Sequence, residues 1–150
     1  MLIDENLIIL DIEVKSKIDV IRTMATIALK ADKISSLDGF VEDVLEREKH
    51  YSTGIGEGIG IPHAKSKNVK EAMVVFAKLK DKIDWDSIDG KPVEVVFLFG
   101  VPEENVNNLH LKLLSQLSRK LMDEDFVKLL KASKSKNEIF EALKDIGETN

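Results

Sequence analysis

Cysteine is absent from these 150 residues, which excludes disulfides, thiolate metal sites and any cysteine nucleophile within this chain. Proline is scarce at three residues, and aromatic residues are 5% of the chain, with one Trp and one Tyr. Positive charge is not in excess either: 22 Lys and Arg stand against 27 Asp and Glu, for a formal net charge of -5. Affinity for a phosphate backbone normally needs a basic face, so a general nucleic-acid binder is disfavoured. No apolar run approaches the roughly 20 residues that span a bilayer. Met1 to Glu5 lacks the basic flank and long apolar region of a signal peptide. A cytoplasmic protein without membrane insertion is expected.

Several familiar site motifs are missing as well. For G-x-G-x-x-G, the third glycine after Gly54 and Gly56 would stand at Ile59, and after Gly56 and Gly58 at Ile61. In G-x-x-x-x-G-K-[ST] the second glycine after Gly54 would also stand at Ile59, so no nucleotide is indicated. There is no H-E-x-x-H and no G-x-S-x-G, and no two of the three histidines lie close enough to share one helix face. A zinc enzyme and a serine hydrolase are both disfavoured.

What is present suits one compact domain. Hydrophobic residues make up 43% and charged residues 33% of the chain, and a chain of this length buries roughly two thirds of its extended surface in a single core. Leu7 to Leu10 reads as a first strand. Ser16-Lys17-Ile18-Asp19 has the S-x-x-D pattern of a helix start, and Ile21, Met24, Ala28 and Ala31 continue it at helical spacing. A second helix is expected after Asp38 or Gly39, with Phe40, Val41, Val44 and Leu45 as its stripe and Arg47 leaving beside that face. Ile59 to Ile61 reads as a short strand. Ala72 to Leu79 and Val93 to Phe99 read as long ones, near-continuous enough for burial on both faces, with Gly100-Val101-Pro102 ending the last. Lys82 to Gly90 is a polar connection around Trp85. After Asn105 to Asn108, Leu113, Leu114, Leu117 and Leu121 form a helical face that includes His110 in its first turn. Helices over Glu124 to Ala132 and Lys136 to Ile146 complete the chain, the latter opened by Ser135 and Glu138 as a capping box.

Four of the eight glycines fall between Gly54 and Gly60, followed at once by Ile61-Pro62-His63. Glycine lets the backbone approach a ligand closely and take positive φ, so its amides can line an anion site. Pro62 fixes its own φ and biases Ile61 to extended backbone, so His63 is expected to emerge rigidly from a strand end or tight turn. An imidazole with its ordinary pKa near 6.5 is largely unprotonated at neutral pH and can attack a phosphoryl group without metal or cofactor. By themselves these residues leave a second reading, a surface histidine in a turn. His110 reads first as a buried, hydrogen-bonded histidine, Arg47 and Lys65 as solvated charges, Glu57 as a turn residue and Trp85 as packing.

Arg47-Glu48, the run from Thr53 to His63, Trp85, Pro92-Val93, Pro102 and His110-Leu111 together resemble the fructose/mannitol-type enzyme IIA of the bacterial phosphoenolpyruvate:sugar phosphotransferase system. The likeness covers nearly the whole chain. One departure is Gly60, where the family often has alanine; its expected effect is only a looser local backbone. The resemblance implies an α/β fold, a mixed β-sheet flanked by helices on both sides, in a single domain over residues 1–150. It implies His63 as the phosphohistidine at Nε2, Arg47 and His110 as its catalytic support, and Gly56, Glu57 and Gly58 as phosphoryl-binding residues. It implies the histidine phosphocarrier HPr as donor and, as acceptor, a cysteine of an enzyme IIB. Since this chain has no cysteine or membrane segment, that IIB and its IIC membrane transporter would be separate chains. A nitrogen-type regulatory module uses the same histidine motif, so the motif does not choose between sugar transport and regulation.

Overall fold

The computed structural model describes residues 2–104 and 108–147; of the Asn105 to Asn108 connection, only Asn108 lies inside the described residues. A 3-10 turn at Glu5–Leu7 leads into β1 (Ile8–Ile12), and two helices follow, α1 (Lys17–Lys30) and α2 (Leu37–His50). Three short strands come next, β2 (Gly54–Gly56), β3 (Ile59–Gly60) and β4 (His63–Ser66), then the long β5 (Met73–Ile83) and β6 (Val93–Pro102). The described chain closes with α3 (Leu109–Lys120), α4 (Glu124–Ala132) and α5 (Lys136–Leu143).

The strands form one six-stranded mixed sheet in the order β1-β5-β6-β3-β2, with β4 also on β6. β5 and β6 pair antiparallel, while β1 runs parallel to β5, and β3 and β4 run parallel to β6. Met73 to Ala77 and Val95 to Val101 are buried at every position. Successive strand residues point to opposite faces, so both faces of the sheet centre are covered. α1 and α2 pack together against β5 and β4, and α3, α4 and α5 pack on β6 and β1. Apolar stripes explain the packing: Val20, Ile21, Met24, Ala25 and Ala28 on α1, Phe40, Val41 and Val44 on α2, Leu113 and Leu117 on α3.

Four of the five described α-helices start at hydroxyl or carboxylate caps, while α3 starts at Asn108, which has left-handed backbone and makes no side-chain cap bond. Ser16 accepts from the Asp19 N–H and Ser135 from the Glu138 N–H, as their patterns predict. α2 begins earlier than expected because its cap is Ser36, which accepts from the Gly39 N–H, and not Asp38. Gly39 therefore lies inside the helix, where a Cβ would come within 2.5 Å of the Asn68 amide. α5 ends at Leu143, short of Ile146, as the chain tightens into an Ile146 N–H to Leu143 carbonyl turn.

The two long strands outrun their expected ends. β5 continues to Ile83, which pairs with Val93, and β6 continues through Gly100 and Val101 to Pro102. The extension of β6 accompanies β4, a strand that the residue pattern does not foretell, whose residues His63 to Ser66 pair with Phe99 to Pro102. Gly100 does not end β6; it makes room for Phe40 and Val69, which a Cβ there would approach to 2.9 Å.

Candidate active site

β3 and β4 succeed one another along the same edge of β6, with Ile59 and Gly60 beside Val95 and Val96, and His63 beside Phe99. Ile61 and Pro62 bridge the break: the Ile61 N–H donates to the Thr53 carbonyl at 2.9 Å and the Phe99 N–H to the Pro62 carbonyl at 3.1 Å. Proline, having no N–H, leaves no donor stranded in this gap. His63 is thus the first residue of a paired strand and not a turn residue.

Its ring is 8% exposed and stacks on Phe99, with centroids 4.7 Å apart and planes 6° from parallel. Nδ1 lies 2.8 Å from the Ile61 carbonyl. A carbonyl can only accept, so in the neutral ring Nδ1 carries the proton and Nε2 carries the lone pair. Burial is the largest influence on the ring and lowers its pKa; the Ile61 hydrogen bond and the Glu48 charge oppose this, and Arg47 and His110 add to it. The imidazole is therefore neutral at physiological pH and nucleophilic at Nε2.

The ring opens onto a groove of about 440 Å³ lined by Asp43, Arg47, His63, Ala64, Lys65, His110, Leu111 and Leu114. Arg47, in the last turn of α2, donates from Nη1 to the Tyr51 carbonyl at 3.0 Å, which ties its guanidinium to the helix end. His110 enters from the first turn of α3, and its pKa is lowered by burial and then by Lys65. His63, Arg47 and His110, separate in sequence, are brought to one groove. Asp43 and Lys65 join them, although residue type alone does not mark either for the site. Asp43 stands one helical turn before Arg47, a spacing that puts both on one face, and this is the sequence signal that could have found it. Its carboxylate accepts from the Ser66 hydroxyl and from the Asn68 amide. Leu111, 55% exposed, supplies an apolar rim.

The glycines are placed elsewhere. Gly56, Glu57 and Gly58 have φ of 100°, 56° and 78°, and Glu57-Gly58 is the two-residue turn between β2 and β3, which demands positive φ at both positions. The Glu57 N–H is taken by the Asp89 carboxylate at 3.1 Å. The Gly58 carbonyl accepts from Glu94, five residues along β6 from the partner of His63, roughly 16 Å at ~3.3 Å per residue. Glu57 borders a different groove, with Met122, Lys128 and Lys131. These three residues form a hairpin turn and do not line the His63 groove. Gly60 packs closely under Trp85, since a Cβ would stand 3.2 Å from the indole and press it back by a few tenths of an ångström; its effect is therefore on packing as well as on the backbone.

The depressed His63 pKa fixes a pH dependence. Below about pH 6.5, the ordinary imidazole value, the unfolded chain takes up a proton that folded His63 resists, so stability falls as pH drops through the folded pKa. Above that value the contribution is fully present. Thermal unfolding between pH 7.5 and 5 is expected to show a steeper loss for wild type than for His63→Gln; equal slopes would contradict the burial argument. His110 shifts in the same direction, which makes the comparison with the variant necessary.

A mixed α/β domain presenting a neutral imidazole in a groove with a fixed guanidinium has the make-up of a phosphotransferase component, and known proteins agree. The family model described as phosphoenolpyruvate-dependent sugar phosphotransferase system, EIIA 2, matches residues 1–146. This chain belongs to that family. It is 41% identical over 142 residues to the fructose-specific EIIABC component of Bacillus subtilis strain 168, covering 95% of this chain but 22% of that protein. It is 38% identical over 128 residues to the fructose-specific EIIA component of Haloferax volcanii, covering 85% and 82% respectively. Among solved structures, the nitrogen regulatory protein IIA-Ntr of Neisseria meningitidis superposes with a TM-score of 0.87 at 32% identity over 95% of this chain and 96% of that one. The Escherichia coli mannitol IIA, solved in complex with phosphorylated IIB, shares the fold with a TM-score of 0.80 at 22% identity, over 95% and 96%.

Proposed function

We propose that this chain is a phosphoryl relay that takes its phosphoryl group from HPr on Nε2 of His63 and hands it to a cysteine of a sugar-specific enzyme IIB. In the first step the Nε2 lone pair attacks phosphorus, a nitrogen–phosphorus bond forms at His63, and the bond to the donor histidine breaks. Nδ1 keeps its proton on the Ile61 carbonyl throughout. In the second step a thiolate attacks the same phosphorus and His63 leaves as neutral imidazole. The acceptor cysteine lies outside these 150 residues, which contain none. The observation that carries this reading is the locked Nδ1–H tautomer, which leaves Nε2 as the reactive nitrogen of a ring that lines the groove.

Phosphoryl transfer depends mainly on placement and on stabilising charge at the equatorial oxygens. Arg47 supplies a positive charge, His110 a ring nitrogen, and Lys65 a second cation at the rim. Asp43 tempers them, since a carboxylate in the groove disfavours permanent retention of an anion. Leu111 and Leu114 offer the apolar surface on which HPr and IIB dock in turn. The steps as drawn call for no metal or cofactor.

The transported substrate is a fructose-like sugar or a polyol, in keeping with the two fructose-specific relatives. The likeness to IIA-Ntr favours a second reading, in which the phosphorylation state of His63 controls a protein partner and no sugar is moved. Radiolabelled phosphate loaded through HPr separates the two. Loss of label on adding a IIB together with its sugar supports transport, whereas label that persists whatever sugar is supplied supports regulation.

A further inference from the structure

Next to Arg47 in sequence, the Glu48 side chain is 6% exposed. A carboxylate withdrawn from water is tolerated where its lone pairs are filled, and those of Glu48 are. It accepts from the Thr53 N–H at 3.2 Å and from the Thr53 hydroxyl, and it pairs with the Lys17 ammonium at 2.6 Å. Thr53 is held from the other side too, because its hydroxyl oxygen accepts from Trp85 Nε1 at 3.1 Å. Lys17 stands over that indole at 5.1 Å and donates to the Trp85 carbonyl at 3.3 Å, which anchors the same cluster to α1.

This cluster does not stop at Thr53. The Thr53 carbonyl accepts from the Ile61 N–H at 2.9 Å, and the Ile61 carbonyl accepts from His63 Nδ1 at 2.8 Å. Hydrogen bonds linked through the backbones of Thr53 and Ile61 therefore connect the Glu48 carboxylate to the His63 ring. Every intermediate group is main chain or a buried hydroxyl, so a displacement at one end has few ways to relax before reaching the other.

We propose that Glu48 is a positioning residue for phosphoryl transfer: by fixing the backbone of Thr53 and, through it, that of Ile61, its buried carboxylate holds His63 in the Nδ1–H tautomer with Nε2 free to react. The proposal rests on the reading of His63 as phosphoryl acceptor. Glu48 also acts on the ring by charge, opposing the effects of burial, Arg47 and His110. The charged and titratable groups set around His63 are Asp43, Arg47 and Glu48 from α2, Lys65 from β4 and His110 from α3.

The test compares wild type, Glu48→Gln and Glu48→Ala, reading the His63 ring nitrogens by long-range proton–nitrogen NMR at pH 7.5 beside steady-state phosphoryl acceptance from HPr. Wild type is expected to show a protonated Nδ1 and an unprotonated Nε2. In Glu48→Ala the two ring signals should move toward each other as the tautomers mix, and kcat should fall about tenfold, the worth of one hydrogen bond to a charged group. KM for HPr should not change, because Glu48 is buried and does not line the groove. Glu48→Gln offers one acceptor oxygen where the carboxylate offers two, so an intermediate effect is expected. Wild-type ring signals in a folded Glu48→Ala overturn the proposal. Should that variant not fold, wild-type ring signals with wild-type kcat in Glu48→Gln overturn it equally. If wild type itself takes up no phosphate, the relay reading fails, while the ring signals still decide whether Glu48 positions the imidazole.

Discussion

His63→Ala is expected to take up no acid-labile phosphate when incubated with phosphoenolpyruvate, enzyme I and HPr, under conditions that load wild type with one. Intact mass and acid lability together give the answer, because a phosphohistidine is lost in acid whereas a phosphoserine is not. The whole rate should vanish, since no neighbouring group can replace the attacking nitrogen. His110 shares the groove, but the Ile61 carbonyl and the Phe99 face fix the ring of His63 with Nε2 as its unprotonated nitrogen. Loss of the stacked ring should destabilise the fold by about 1–3 kcal/mol, as for other large-to-small changes of a partly polar buried side chain. Circular dichroism must therefore accompany the assay. Phosphate retained by folded His63→Ala would move the acceptor to another residue and refute the relay as drawn.

Arg47→Ala should lower the rate of phosphoryl acceptance roughly a hundredfold. A unit charge about 4 Å from a phosphoryl oxygen is worth about 4 kcal/mol at an effective dielectric of 20, and desolvation of the guanidinium removes part of that. A net loss of about 2.7 kcal/mol corresponds to the hundredfold. The fold should survive, because the hydrogen bond of this side chain to the Tyr51 carbonyl contributes about 1 kcal/mol. The loss should fall on kcat, with stopped-flow transfer slowed at saturating HPr. An unchanged kcat with a raised KM would make Arg47 a docking residue instead.

Much of this arrangement is legible in the residues alone. Cap residues and apolar stripes are local signals, and they locate α1, α3, α4 and α5 to within a few residues. Ser36 and Asp38 are both good caps, so residue type does not choose the start of α2; the choice depends on Gly39 fitting against Asn68, a contact 29 residues away in sequence. β4 escapes notice because His63-Ala64-Lys65-Ser66 has no strong strand pattern. It is a strand through its pairing with Phe99 to Pro102 of β6, a contact far away in sequence. The glycine run is the most misleading feature. Positive φ is needed equally by an anion-binding loop and by a tight hairpin, and only the partners of the amides distinguish them. Here the Glu57 N–H goes to Asp89 and the Gly54 N–H to the Ser52 hydroxyl, and Gly56 to Gly58 turn the chain from β2 into β3 outside the lining of the His63 groove. The site residues His63, Arg47 and His110 are legible because each sits at a boundary between elements. Glu48 enters the sequence reading only as part of a motif, because its role depends on a hydrogen-bond series visible in three dimensions alone.

The clamping of His63 has a consequence for how such a protein is read by others. Nδ1 is held by a carbonyl and one face of the ring by Phe99, so a group added at Nε2 disturbs neither restraint. In the proposed relay, both restraints are therefore common to the loaded and empty forms. On that proposal, a partner that distinguishes the two forms reads the groove itself, where the added negative charge meets Arg47, Lys65 and His110.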